Sequence, residues 1–484
     1  MNELNRGIGS WPARRARGAG DRTALIFQER EYSYIELERR VTALAASWRA
    51  FGIGAGDRVA YLGPNHPALL ETLFSAGLLG AVFVPLNTRL APAELTAILA
   101  DAGASLLVHG SDISSLGFTG RTVEVGPDFE ALATEAGGFT PAPVGLDDPC
   151  LILYTSGTTG RAKGVVLTHG NLTWNAMNVI VDVDLREGDV ALVTGPLFHT
   201  AALNVDTLPA ILKGGTVVLT GGFDPDETIR LVERYRVCYT GGVPTMHEML
   251  TRSALWENAD LTSLRFLFCG GSPVPVELVK RFQDRGIRFQ QGYGMTEASP
   301  GVLMLAGEHA LRKPGSAGIP HFFTDVRLAD SEVQVSGPNV SPGYWNAPDA
   351  QAASFTPDGW LRTGDIVRFD DEGFGWVVGR VKDMIISGGE NIYPAEVETV
   401  LIEHPAVADC AVVGVPDPKW GEVPAAFVVP EPGAAPLTES DLLTYLTGRL
   451  AKYKVPKTAA LVDALPRNAS GKLDKPAIKA RYLS

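Results

Sequence analysis

Tyr154-Thr155-Ser156-Gly157-Thr158-Thr159-Gly160-Arg161-Ala162-Lys163-Gly164-Val165 is the stretch on which the reading of this chain turns. Its glycines let the backbone fold where a Cβ would clash. Thr155, Ser156, Thr158 and Thr159 bring hydroxyls to the loop, and Lys163 brings an ammonium. With exposed main-chain N–H groups, that combination suits an anion of many oxygens, such as the phosphates of a nucleotide. Just upstream, Cys150-Leu151-Ile152-Leu153-Tyr154 reads as a short buried strand, which anchors the loop in a sheet. Taken alone, the same composition also describes a surface turn. The rest of the chain decides between the two.

The familiar nucleotide and hydrolase motifs fail. Lys163 is followed by Gly164 and Lys472 by Leu473, so neither completes a Walker A loop. Gly52-Ile53-Gly54 meets Asp57 where a dinucleotide fingerprint needs its last glycine. No GxSxG elbow is present, and His247-Glu248 runs to Thr251 where a zinc-protease helix needs histidine. Neither hydride transfer nor zinc hydrolysis is indicated.

At 484 residues the chain has room for two to four domains. A formal charge of −13 argues against general nucleic-acid binding. Basic residues gather near the end, where Arg449, Lys452, Lys454, Lys457, Arg467, Lys472, Lys475, Lys479 and Arg481 face only Asp463 and Asp474. Cys150, Cys238, Cys269 and Cys410 lie in apolar runs without a CxxC pair and read as core residues of a reducing cytoplasm. No signal peptide or membrane-spanning run is read, so a cytoplasmic protein is expected.

Helical and strand patterns alternate. Tyr34–Ala50 and Pro67–Leu79 read as helices, while Arg58–Leu62, 81–85, Val190–Val193, Thr216–Leu219, 237–240 and 264–269 read as strands. That rhythm predicts an α/β fold: a large N-terminal domain of parallel-rich sheets flanked by helices. Short strands over 325–335 and 375–378 predict a small β subdomain. Beyond a break at 379–383 comes a small α+β module, with strands at 410–415 and 425–429 and a helix over 437–450. The expected division is 1–379, a hinge at 380–382, and a mobile C-terminal domain at 383–484.

Further motifs follow in order. Gln291-Gly292-Tyr293-Gly294-Met295-Thr296-Glu297 follows a strand, then come Thr363-Gly364-Asp365 and Gly379-Arg380. Ser387-Gly388-Gly389-Glu390-Asn391-Ile392-Tyr393-Pro394 opens the second module, and Pro466-Arg467-Asn468-Ala469-Ser470-Gly471-Lys472 lies near the end. In this order and spacing the set resembles the acyl-adenylate-forming superfamily of acyl-CoA synthetases, peptide-synthetase adenylation domains and luciferases. Pro85-Leu86-Asn87-Thr88-Arg89 and Pro196-Leu197-Phe198-His199 are similar to its fatty-acyl-CoA and aryl-CoA ligases.

The resemblance implies an ATP-dependent acyl-CoA synthetase with ATP, Mg²⁺ and coenzyme A as cofactor and substrates. It places the β,γ-phosphates on Thr155, Ser156, Gly157, Thr158, Thr159, Gly160 and Lys163. Tyr293 would stack on adenine, beside Gly270, Gly271 and Ser272 and within the turn of Gln291, Gly292, Gly294 and Met295. Asp365 and Arg380 would take the ribose, Thr296 the α-phosphate, and Glu297 with Thr155 the metal. Lys472 would carry the charge of adenylation. Lys382 would be the hinge that exchanges Lys472 for Gly388, Gly389 and Glu390 during thioester formation. His199 would stand at the acyl site as a gate or packing residue. The basic tail would meet the phosphates of CoA.

By the resemblance, the acyl site would be lined by 199–205, 241–246, 270–272 and 293–301, and these segments contain no lysine or arginine, which disfavours a dicarboxylate. A medium- or long-chain fatty acid or related apolar carboxylic acid is expected as the small-molecule partner. Alternatives are an aromatic acid, including the succinylbenzoate type, and a free-standing carrier protein as acceptor in place of CoA. A catalytically dead ATP-binding scaffold is disfavoured because every implied position is filled. A homodimer stays open, while a nucleic-acid partner and a transmembrane segment are not expected. One departure stands out: 327–332 connects two strands directly where the family carries a longer hairpin.

Overall fold

The computed structural model describes residues 4–135, 138–155, 162–271, 274–468 and 471–483. The chain divides into two compact units, one of residues 1–326 and 335–361, the other of 327–334 and 362–484.

The first unit holds two large sheets. One runs, edge to edge, Gly343–Trp345, Lys163–Thr168, Pro149–Thr155, Val82–Pro85, Arg58–Leu62, Ala104–His109 and Arg121–Glu124. Its interior pairs are parallel, while Lys163–Thr168 and Gly343–Trp345 join antiparallel at one edge. The other has a parallel centre of Arg288–Gly294, Phe266–Gly270, Tyr239–Gly242, Val190–Val193, Thr216–Leu219 and Thr23–Phe27, with antiparallel strands beyond each end. Parallel strands need crossover helices, and those helices bury both faces of the sheets.

Pro67–Leu79 shows how sequence fixes one such helix. Pro67 fills the first helical position, His66 accepts from the N–H of Ala68, and Gly80 ends the helix in a left-handed conformation. All thirteen residues are buried, matching a composition that is apolar nearly all round. Each leucine so placed contributes roughly 1.5–3 kcal/mol from area removed from water. The one charged residue among them, Glu71, is held by Arg40, whose guanidinium also reaches Glu130 at 2.8 Å. A buried charge persists only with such pairing.

The second unit contains most of a four-stranded sheet, Asp325–Ala329, Glu332–Ser336, Leu361–Phe369 and Gly375–Arg380. Asp330 and Ser331 link its first two strands with φ of 51° and 69°. Positive φ at both central residues is the two-residue turn that matches strand twist, so the short connection is a complete hairpin. A further sheet orders Glu390–Ile392, Ile385–Ser387, Gly421–Pro430 and Val407–Asp417, with Thr458–Leu461 also on Gly421–Pro430. Helices Pro394–Ile402 and Glu439–Leu446 pack apolar faces on it through Val397, Leu401, Leu442 and Leu446. The fold is therefore the α/β class expected, a large sheet-rich N-terminal part and a smaller α+β C-terminal part. Among the described residues no helix is long and apolar enough to cross a membrane.

Candidate functional site

In the first unit, Thr155 ends one strand and Lys163 begins the next, as opposed residues of an antiparallel pair. Ser156, Gly157, Thr158, Thr159 and Gly160 lie outside the described residues, as does Ser272. The strands that hold the loop are well determined by packing. A Cβ at Gly164 would stand 2.7 Å from Ile152 Cγ2, 3.1 Å from the Tyr154 ring and 3.3 Å from Trp345 Cβ. Only glycine admits this approach. Tyr154 Oη also donates to Asp101 Oδ2 at 2.7 Å.

Gln291, Gly292, Tyr293 and Gly294 occupy the C-terminal end of Arg288–Gly294, and Gly292 pairs with Gly270 on the neighbouring parallel strand. Gly271 follows at φ +84°. Ligands of open α/β sheets gather at the carboxyl ends of strands, where these residues stand. Met295 leads into the short turn Thr296–Ala298. Glu297 in that turn is nearly buried; its carbonyl accepts from Ser341 N at 2.7 Å and its Oε1 from Tyr344 Oη at 2.7 Å. Burial, with the Glu297 charge beside it, pushes the Tyr344 phenol above its usual pKa. Tyr344 faces Val165 across the edge pair, and Lys163 Nζ lies 5.9 Å from its ring centroid. Carboxylate and hydroxyl oxygens such as those of Glu297 and Thr155 are hard donors of the kind magnesium takes alongside phosphate.

His199 follows the turn after Val190–Val193, with its ring centroid 4.8 Å from that of Phe198, and leads into the π-helical segment Ala201–Thr207. Such segments recur at functional sites. Asp206 within it is buried, and its side chain presses on Gly241, where a Cβ would come 2.3 Å from Oδ2. Oδ1 is buried without a hydrogen bond, so burial pushes this carboxyl well above the usual carboxylate range. Nearby His247 faces Phe268 O at 2.9 Å through Nε2, and burial lowers its pKa to about 4.

In the second unit, Asp365 and Arg380 are opposed on paired strands, Arg380 Nε donating to Asp365 Oδ1 at 2.7 Å. Thr363 Oγ1 accepts from Asp365 N at 3.0 Å, and Gly364 N donates to Glu332 Oε1 at 2.8 Å. Lys382 lies exposed in the short turn Val381–Asp383. Gly388 and Gly389, at φ 62° and 89°, form the turn between Ile385–Ser387 and Glu390–Ile392, with Glu390 opposite Ser387.

Lys472 is exposed after Gly471, and Asn468 brackets it. Asn468 N donates to Lys472 O at 2.9 Å, and Lys472 N donates to Asn468 Oδ1 at 3.0 Å. The basic tail is less open than its sequence implies. Lys454 pairs with Glu396 at 2.6 Å, Lys475 with Glu398 at 2.8 Å and Arg467 with Asp409 at 2.5 Å. These acids come from far upstream, so counting charges along the tail misses them. Tyr344 was also invisible, since Gly343-Tyr344-Trp345 carries no signal beyond a short strand.

A model described as AMP-binding enzyme matches residues 12–345, and one described as AMP-binding enzyme C-terminal domain matches 396–472. A feruloyl-CoA synthase of Amycolatopsis sp. is 52% identical over 99% of both chains. An indoleacetate–CoA ligase of Aromatoleum aromaticum is 42% identical over 97% of this chain and 96% of its own. Among solved structures, the Bacillus subtilis o-succinylbenzoate CoA synthetase with its acyl-adenylate intermediate superposes with a TM-score of 0.89 at 35% identity, covering 97% of this chain and 98% of its own. The same enzyme with ATP and magnesium gives 0.87 over 96% and 98%, at 35% identity. The chain belongs to the AMP-binding enzyme family, within the acyl-adenylate-forming superfamily, and is an AMP-forming acid–thiol ligase that uses ATP and CoA.

Proposed function

We propose that this ligase joins a flat aromatic acid of the phenylpropenoate kind to CoA, the aromatic alternative in place of an aliphatic chain. A carboxylate oxygen first attacks the α-phosphorus of ATP, the bond to the bridging oxygen breaks, and pyrophosphate leaves. The sulfur of CoA then attacks the acyl carbon, AMP departs with the bonding pair, and the thiol proton passes to solvent. The observation that carries the aromatic reading is the full-length likeness to feruloyl-CoA synthase. The segments expected to line the acyl site carry no lysine or arginine, which disfavours a substrate with a second charge.

In this reading Thr155 and Lys163 hold the β,γ-phosphates, Tyr293 stacks on adenine, Asp365 and Arg380 take the ribose, and Thr296 binds the α-phosphate. Positioning and charge neutralisation dominate such phosphoryl substitutions. Magnesium bound with ATP supplies further neutralisation at phosphate oxygens, and Glu297 with Thr155 would hold it. Lys472 supplies a mobile point charge to the first step. A hinge at Lys382 then exchanges it for the Gly388-Gly389-Glu390 turn. Four cysteines without disulfides fit a cytoplasmic enzyme.

Pyrophosphate exchange with a panel of ferulate, coumarate, indoleacetate, succinylbenzoate, decanoate and palmitate tests the reading. Hydroxycinnamates should lead in kcat/KM by at least about tenfold, the scale of one well-made pocket contact. A lead for decanoate or palmitate overturns the aromatic assignment. Exchange without thioester formation in the presence of CoA overturns CoA as acceptor.

A further inference from the structure

We propose that Tyr344 is a positioning residue for adenylate formation, fixing the carboxylate of Glu297 for the magnesium of MgATP. The inference rests on the role given above to Glu297. Two contacts tie Glu297 to one short segment: Tyr344 Oη donates to Oε1 at 2.7 Å, and Ser341 N donates to the Glu297 carbonyl at 2.7 Å. The first orients the side chain and the second its main chain. Oε2 makes no hydrogen bond among the described residues, so it is the oxygen left for a ligand.

Tyr344 is itself held on three sides. Its strand pairs antiparallel with Lys163–Thr168, its N–H donates to Gln351 Oε1 at 3.1 Å, and Ser354 Oγ donates to its phenol oxygen at 3.4 Å. A phenol that accepts from Ser354 directs its own proton at the carboxylate. The same edge pair carries Lys163, whose ammonium lies 5.9 Å from the Tyr344 ring. One strut therefore spans the phosphate lysine and the acid assigned to the metal. Partners that orient a metal-binding carboxylate hold it in one rotamer, and their loss typically weakens metal affinity or activity by 10–100-fold.

Tyr344→Phe removes one hydroxyl and keeps the ring. Calorimetry of ATP binding to the full chain should show the Mg²⁺ needed for half-maximal enhancement rising at least about tenfold. ATP binding in EDTA should stay within twofold of wild type, as should thioester formation from supplied acyl-AMP. Glu297→Gln should show the same magnesium defect, with the double variant no worse than Glu297→Gln alone. Unchanged magnesium dependence in Tyr344→Phe overturns the proposal if Glu297→Gln is defective. Equal weakening with and without magnesium also overturns it, because that marks a merely structural residue. Normal MgATP binding in Glu297→Gln instead overturns the metal role of Glu297 itself.

Discussion

Arg380 and Asp365 stand directly opposite each other on paired antiparallel strands, the arginine Nε donating to Oδ1 of the aspartate at 2.7 Å. The aspartate side chain is 6% exposed and the arginine 45%, so the acid is set into the sheet and the base reaches outward. The arginine holds the carboxylate in one orientation, and a carboxylate is an acceptor suited to hydroxyl donors such as those of a ribose. Asp365→Asn exchanges that charged acceptor for an amide. The KM for ATP should rise about 10–100-fold, from the ~1.5–3 kcal/mol of a charge-assisted hydrogen bond. The KM for the acid should move far less; an unchanged KM for ATP would exclude Asp365 from nucleotide binding.

Lys472→Ala should lower adenylation by a factor of ~10²–10³, the ~2.7–4 kcal/mol typical of one lost transition-state charge contact. Conversion of supplied acyl-AMP to acyl-CoA should stay near wild type. Because Asn468 meets main-chain atoms of residue 472, the loop survives the truncation. Equal losses in both half-reactions, measured by pyrophosphate exchange and by thioester yield, would remove Lys472 from its assigned step.

Lys382→Pro fixes φ in the exposed turn Val381–Asp383. Adenylation should proceed at the wild-type rate and thioester formation should slow. Stopped-flow comparison of the two steps checks this; undiminished CoA turnover would place the hinge elsewhere.

Acid should destabilise the chain through two buried imidazoles. His169 accepts from Ile8 N at 3.1 Å through Nδ1, and burial brings its pKa, like that of His247, to about 4. An unfolded histidine takes a proton near pH ~6.5. Below that value the unfolded state binds more protons, so stability falls with pH until the folded rings titrate near pH 4. The slope reaches ~1.4 kcal/mol per pH unit per ring. Urea midpoints from pH 7 to 4.5 should follow it, with His247→Gln flattening the slope by about one proton. A slope unaltered in that variant would refute the assignment.

Asp206 predicts the opposite trend. Its folded pKa is raised, so from pH ~3.9 upward the unfolded state gains by ionising while the folded carboxyl stays protonated. Asp206→Asn mimics the neutral acid. Its melting temperature should gain on wild type as pH climbs from 4 to 8, and the two should converge near pH 4. A constant offset across that range would show a shape effect instead.

Apolar periodicity placed Pro67–Leu79, Val190–Val193 and Thr216–Leu219 at their observed bounds, because uninterrupted packing decides those segments. The strand read over 237–240 lies instead at Tyr239–Gly242. Glycine reads as a strand breaker, yet Gly241 must be bare to admit Asp206. The strands read over 410–415 and 425–429 extend to Val407–Asp417 and Gly421–Pro430, since pairing carries a ladder past its apolar stretch. At the candidate site, motif order brought forward the residues proposed to bind nucleotide. Tyr344 stayed hidden because its meaning lies in a partner 47 positions away.

Gly164 sets a bound on how this protein can change. Ile152, Tyr154 and Trp345 close over the hydrogen at its α-carbon. A methyl group there would press on the edge strand next to Tyr344, loosening its grip on Glu297. Any larger residue at this position must displace Ile152, Tyr154 or Trp345, so the site selects for the smallest side chain available.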